Sequence, residues 1–539
     1  MLRLPLLITL ALAALAARAQ MTPDKPRLVL MLVVDNLNNE QLDIVRNECG
    51  RDGFNRLLAE GTVCRNAYYD AGGNYSGKNM ATLFTGAPAS THGVVSETWI
   101  DRFDNRKVHA IYGKVYDSQG RIGADTLVAD NRLLLCSTIT NQIRKKYNSA
   151  ARVVSLGFDP DMLIWLSGMQ QAEPTFWFDT RTGNFVGNNA QTPDTMLRKA
   201  IDCFNSKRIA DVYLGKQWAP RNDISQYHEW KYFKSTTGAQ RTFYYNMRQS
   251  PAAPPDYSLV AGSPYGNTLL RDLSASVLLD TRMGRDDVPD VLMLQFNATP
   301  STAHKTQPLD AETEDLLLCL DDNIADLLRL IDHEIGMDNT LVVLCAARGS
   351  YDLSHTPQEQ WNSRGSVSLH RASALLNLYL MALHGQGRWV DNYKSGEMYM
   401  NAELAKEKGV DFALLCSEAA DFLTQMQGIG TAIAASTLDR TFALSPVVNG
   451  MKRNYHRKRS GDVLFALEPG WAEEQDDGSC IMQLWGQEFV PLVFAGWRIG
   501  RNAVLYERHN MADVAPTICT FLNVQKPDGC SGSDIPLIK

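Results

Sequence analysis

Uninterrupted aliphatic runs of strand length constrain this chain most. Arg27 to Val34, RLVLMLVV, is the first, and it ends in Asp35-Asn36. A run without polar alternation has both faces in apolar surroundings, the pattern of a parallel strand with helices above and below. Ala151 to Leu156, Asp290 to Phe296 (DVLMLQF), Thr340 to Cys345 (TLVVLC) and Phe489 to Ala495 (FVPLVFA) repeat it. Ala311 to Ile331 carries helical apolar spacing, and Gln41 to Glu60 reads as one or two helices. Strands alternating with helices predict an α/β fold, a mostly parallel sheet sandwiched by helices. Ligands of such sheets bind outside the carboxyl ends of the strands, so Asp35 stands where a site is expected. Two stretches break the alternation, at about 205–267 and 354–470, and both read as insertions that form a cap. Within the first, the aromatic segment Trp230 to Tyr245 serves either as a binding surface or as packing between cap and core.

The 539 residues are 45% hydrophobic, enough for a large single core, and a net charge of −7 argues against wholesale nucleic-acid binding. Arg3, the apolar stretch Leu4 to Ala17 and Ala17-Arg18-Ala19 form a secretory leader over residues 1–19, with cleavage near Gln20. The expectation is a periplasmic or secreted product spanning 24–539, with no later segment long enough to cross a bilayer. The ten cysteines show no zinc spacing. Cys319, Cys345, Cys416 and Cys519 read as buried thiols. Cys49 with Cys64 and Cys480 with Cys530 are candidate disulfides. The basic run Lys452 to Arg459 reads as a solvated face or a contact for an anionic partner.

One hydroxyl stands out. In Gly73 to Val95, GNYSGKNMATLFTGAPASTHGVV, Ser76 lies in a Gly-flanked turn ahead of the apolar run Met80 to Phe84. A nucleophile just before a helix N-terminus has free N–H groups and a favourable dipole beside it. A serine there equally serves as a turn or cap residue.

The segments KPRLVLMLVVDN, NYSGKNMATLFTGAPASTHGVVSETWIDR, SPYGNTLLRD, GRDDVPDVLMLQFNATPSTAH, FVPLVFAGW and DVAPTICTFLNVQKPDGCSG follow in order along the chain. In them the chain resembles the alkaline phosphatase superfamily, and within it exported bacterial phosphatases related to type I phosphodiesterase/nucleotide pyrophosphatases. The resemblance implies an alkaline-phosphatase-like core with cap insertions. It also implies two zinc ions at the strand ends, clamping an in-line displacement at phosphorus. Its first metal-binding Asp falls on Asp35 and its nucleophile on Ser76, with Lys78 and Met80 where the family has Pro and His. The Asp and His of the third-strand motif fall on Pro300 and His304. The Asp-His of the fourth strand falls on Ala347 and Arg348, and a later His on Phe489, next to Glu488. The phosphate-binding Asn falls on Glu97, and the Lys-x-Arg pair on Gly157 and Asp159.

Of the metal ligands so implied, only Asp35 and His304 remain, one for each ion, too few to hold a catalytic zinc. A carboxylate about 4 Å from a phosphoryl oxygen repels it by about 1 kcal/mol in water. The expectation is therefore a catalytically inactive member, with the family zinc lost and no cofactor, acting as a binding or scaffold protein with a protein partner in the cell envelope. Two alternatives stand beside it. One is a phosphate or sulfate ester hydrolase with a rebuilt site drawing on carboxylates such as Glu488. The other is a binder of glycans or anionic ligands. Asp35, Glu97, Asp159, Asp161 and Glu488 are further read as a cluster that converges on the old pocket.

Overall fold

The computed structural model describes residues 24–72, 75–113, 129, 131–169, 174–187, 194–228, 242–249, 253–300, 309–349, 365–440, 445–474, 480–481 and 485–537. The leader read at 1–19 lies outside them.

A ten-stranded sheet forms the centre. In chain order its strands are β1 (Leu28–Asp35), β2 (Gly61–Gly72), β3 (Val153–Gly157), β4 (Thr175–Asp179), β5 (Asn184–Gly187), β6 (Asp290–Asn297), β7 (Thr340–Cys345), β8 (Trp485–Phe489), β9 (Leu492–Gly496) and β10 (Ala503–Asn510). They lie side by side as β8-β2-β9-β7-β1-β6-β3-β4-β5, with β10 paired to β2. The middle is parallel: β1 runs between β6 and β7, and β6 pairs β3. Leu28 to Val34 are fully buried, as the unbroken aliphatic pattern requires.

The fifth aliphatic run departs from the expected parallel course. Pro491, which has no N–H to donate, separates β8 from β9, and both are antiparallel to their neighbours. The stretch from Gln41 to Glu60 forms two helices, Asn39–Val45 and Phe54–Glu60.

Helix α1 (Ser76–Thr85) starts just beyond the end of β2, and Gly86, at φ 66°, closes it in the left-handed conformation that glycine adopts without strain. Two longer helices, α2 (Pro264–Thr281) and α3 (Ala311–Glu334), pack against each other on the sheet.

Residues 365–474 carry sheets of their own. Val390–Lys394, Glu397–Met400, Val463–Leu467 and Ile429–Ala434 form a four-stranded sheet. It shares an apolar cluster with the helices Leu369–His384 and Phe412–Thr424, separate from the core beneath the main sheet. The basic run read as a solvated face is partly structural. Arg459 is 8% exposed, donates to the Gly93 carbonyl and lies over the Trp99 ring, while Arg453 pairs with Asp70 at 2.9 Å.

Cys49 and Cys64 are both free thiols, so that candidate disulfide is not formed. Burial first, and then the carboxylate of Asp321, push the Cys49 thiol up. The side chain of Cys480 lies outside the described residues. Among the described residues no helix is long and apolar enough to cross a membrane.

Candidate active site

β1 delivers Asp35 to the carboxyl edge of the sheet, level with Asn297 at the end of β6. The next residue, Asn36, has φ 62°, which turns the chain sharply off the strand. Its amide works in two directions. Nδ2 donates to Asp35 Oδ2 at 3.1 Å, while Oδ1 accepts from Arg348 Nε at 2.7 Å. Arg348 follows β7 and is 312 residues away in sequence. Burial pushes the Asp35 carboxyl up, and the Arg348 guanidinium pulls it back.

Ser76 is the first residue of α1, and its Oγ donates to Asp35 Oδ1 across 3.4 Å. Tyr75 precedes it, and its hydroxyl donates to Asp161. Lys78, which sequence reasoning noted only as a missing proline, is 2% exposed. Burial lowers it to about 8, while Glu488 is foremost among the carboxylates that favour its charge. Asn79 Nδ2 donates to the Ala347 carbonyl at 2.9 Å and ties α1 to the end of β7. Glu488, on β8, accepts from the Gly349 backbone at 2.8 Å. Burial pushes its carboxyl up, and Arg348 and Lys78 favour its ionised form.

A second group of carboxylates faces Asp35 from β3. Asp159 caps the short helix Pro160–Leu163 by accepting from the Asp161 N–H at 2.9 Å. Gln295 Oε1 on β6 accepts from the Phe158 and Asp159 N–H groups at 2.7 and 3.0 Å. Burial, and then the charges of Asp161, Asp35 and Glu97, push Asp159 up to about 7. Its proton affinity is thereby raised toward the neutral range. Gly157 cannot carry the family's cation. A Cβ there would lie 2.7 Å from both Cβ and Oε1 of Gln295.

Glu97 is 63% exposed and sits 3.5 Å from His109 Nε2. Its hydrogen bond with His109 is the main reason its carboxyl falls below the usual range. Beside it, Lys394 reaches in from the hairpin Val390–Met400 to donate to Ser96 Oγ and the Thr98 carbonyl. The expected convergence of carboxylates therefore divides. Asp159 feels the charges of Asp161, Asp35 and Glu97, whereas Glu488 sits with Arg348 and Lys78, and Arg348 acts on Asp35 as well. His304 lies outside the described residues. Pro300 and Ala347 are buried and offer no side-chain donor, and Phe489 is 37% exposed against the Tyr68 ring. Of the aromatic segment, residues 230–241 lie outside the described residues, while Phe243 and Tyr245 pack on Trp218 at 5.1 and 5.6 Å.

Asn36, Lys78, Gln295 and Lys394 were not singled out from the sequence. Their only signal is a polar residue at the end of, or inside, an apolar run. What each touches depends on contacts between distant segments.

The chain is 24% identical over 522 residues to the alkaline phosphatase PhoV of Synechococcus elongatus, covering 95% of this chain and 93% of that relative. It is 25% identical over 526 residues to the alkaline phosphatase PafA of Elizabethkingia meningoseptica, covering 95% and 94%. The crystal structure of wild-type PafA superposes with a TM-score of 0.79 at 23% identity, over 96% of this chain and 99% of that one, and shows the same fold. These findings overturn the expectation of an inactive scaffold, since relatives aligned over nearly the whole chain are named as phosphatases. The physical reason is that lost ligand identities were equated with lost chemistry. The folded chain still brings a hydroxyl, a carboxylate and a guanidinium together at the strand ends. The profile of the type I phosphodiesterase / nucleotide pyrophosphatase family matches residues 29–480, and the chain belongs to that family.

Proposed function

We propose that the protein hydrolyses phosphate or sulfate esters at a rebuilt site, with Ser76 as the nucleophile. One observation carries the reading: the Ser76 hydroxyl, at the first turn of α1, points at the Asp35 carboxylate at the end of the central strand. The near-full-length similarity to named phosphatases supports it. The leader read at residues 1–19 assigns the activity to the periplasm or the exterior.

The residues present do not fit a pair of zinc ions. The third- and fourth-strand motif positions carry Pro300, Ala347 and the cation Arg348 in place of donors. The steps are therefore assigned to side chains. Ser76 Oγ attacks the phosphorus or sulfur, and its proton passes to Asp35, whose buried carboxylate is a stronger base than an exposed one. The new Oγ bond forms as the ester bond on the opposite side breaks. Arg348 and the positive end of the α1 dipole hold the non-bridging oxygens. Asp159, with its proton affinity raised into the neutral range, hands a proton to the departing alkoxide. It then takes one from the water that cleaves the seryl ester, and as that ester bond breaks the departing Ser76 Oγ recovers its proton from Asp35, which restores the enzyme.

The test is turnover of aryl phosphate monoesters, aryl phosphodiesters and aryl sulfates by the mature wild-type protein and by Ser76→Ala. Hydrolysis that disappears with Ser76 supports the reading. Absence of turnover on all three classes, or full activity without the hydroxyl, rejects it.

A further inference from the structure

Arg348 stands where the resemblance puts a metal-binding histidine, and its neighbours are those of a bound cation. Its Nε donates to Asn36 Oδ1 at 2.7 Å, and the same amide donates from Nδ2 to Asp35 Oδ2 at 3.1 Å. Glu488 is held on the opposite side by the N–H of Gly349, the residue after Arg348, at 2.8 Å. Both carboxylates feel the guanidinium as their foremost opposite charge. They come from β1 and β8, and the charge of Arg348, just beyond β7, acts on both. Lys78, on the first turns of α1, brings a second cation toward Glu488.

A divalent ion bridging these carboxylates would sit against the positive guanidinium. The guanidinium is also a planar fork suited to tetrahedral oxyanions, and through the Asn36 amide it is linked to Asp35, the carboxylate that Ser76 contacts. Formal charges set what such a site can take. Arg348 and Lys78 are balanced by Asp35 and Glu488, and Asp159, Asp161 and Glu97 lie across the same edge. Two metal ions would leave an excess of positive charge for a dianion. Here two cations face five carboxylates, so there is no positive excess and each further negative charge on a ligand is opposed.

We propose that Arg348, backed by Lys78, takes the place of a divalent cation in this site, so that the protein binds singly charged oxyanion esters without metal. The anion's identity rests on the hydrolase reading, whereas the metal-free binding does not. Phosphodiesters and sulfate monoesters carry one negative charge at neutral pH, whereas phosphate monoesters approach two because their second pKa is about 6.

The experiment uses full-length mature protein with Ser76→Ala, dialysed against a chelator, with metal content measured by mass spectrometry. Calorimetry then compares phenyl sulfate with phenyl phosphate at pH 7.5, two probes alike in shape and different in charge. Phenyl sulfate should bind at least about tenfold more tightly, unchanged by added zinc. Arg348→Gln, which keeps a planar amide facing Asn36, should weaken it by about tenfold or more. Arg348→Lys should recover part of the loss. Thermal melting shows whether each variant is folded. Two outcomes overturn the proposal: binding that appears only with zinc, or equal binding by folded Arg348→Gln. A preference for phenyl phosphate overturns the charge selection. Wild-type turnover separates the two claims. Metal-free binding without hydrolysis leaves this inference standing and removes the hydrolase reading, while hydrolysis that requires zinc does the reverse.

Discussion

Two guanidinium groups in this molecule face opposite situations. Arg348 is half-buried at the sheet edge, bonded to the Asn36 amide and acting on the carboxylates of Asp35 and Glu488. Arg459 is buried where the 365–474 region meets the core, held by the Gly93 carbonyl and the Trp99 ring, and burial lowers it to about 10. The first cation is matched by opposite charge at a strand end. The second is matched by neutral groups inside a joint. The lesson is that a basic residue is read by what it is paired with and what can reach it. Charge runs in a sequence do not carry that distinction.

The sharpest break of this comparison is at the nucleophile. Ser76→Ala should lower kcat by at least about a thousandfold while the melting temperature stays within a few degrees, since the hydroxyl makes one long hydrogen bond. Arg348→Ala should lower kcat/KM by roughly a hundredfold, the effect of removing one charge-stabilising donor. Arg459→Met should leave activity per folded molecule within about threefold and destabilise the protein by about 1–3 kcal/mol, read by chemical denaturation. If Arg459→Met instead abolished turnover with stability intact, the contrast between the two cations would fail.

Asp159 sharpens the acid–base half of the proposal. If its proton is delivered to the leaving group, kcat should fall as pH rises through about 7, and Asp159→Asn should be slower with that limb gone. The effect should be smaller for esters whose leaving groups depart without protonation.

An effect confined to acid pH lies at His92. Its Nδ1 accepts from the Val94 N–H at 3.1 Å, so Nε2 carries the hydrogen that faces Thr82 Oγ1 at 3.0 Å. Burial, with Lys78 and Arg459 nearby, lowers it to about 3. The unfolded chain therefore binds a proton between pH 6.5 and 3 that the folded chain excludes, and stability falls as pH drops through that window, by at most about 1.4 kcal/mol per pH unit. His92→Gln should flatten this part of the stability profile measured by denaturant titration.

The central strands were legible because burial on both faces leaves a simple signature. Leu28 to Val34, Val291 to Leu294 and Leu341 to Leu344 are apolar throughout, and each lies where that pattern places it. The course of the last run was not legible, because strand direction depends on which neighbour it pairs with. Ser76 and Asp35 could be named from motif position and strand end. Asn36 as a bridge, Lys78 as a buried cation and the raised proton affinity of Asp159 could not.

Local patterning thus settles which segments become strands and helices, since apolar periodicity records the environment of each residue along its own segment. It also places one carboxylate and one hydroxyl at element ends. Which charges face each other is a matter of folding. Arg348 meets Asn36 across 312 residues, and Glu488 meets Gly349 across 139. Electrostatic interaction falls with distance and rises with burial, and both become defined only when the sheet brings those strand ends together.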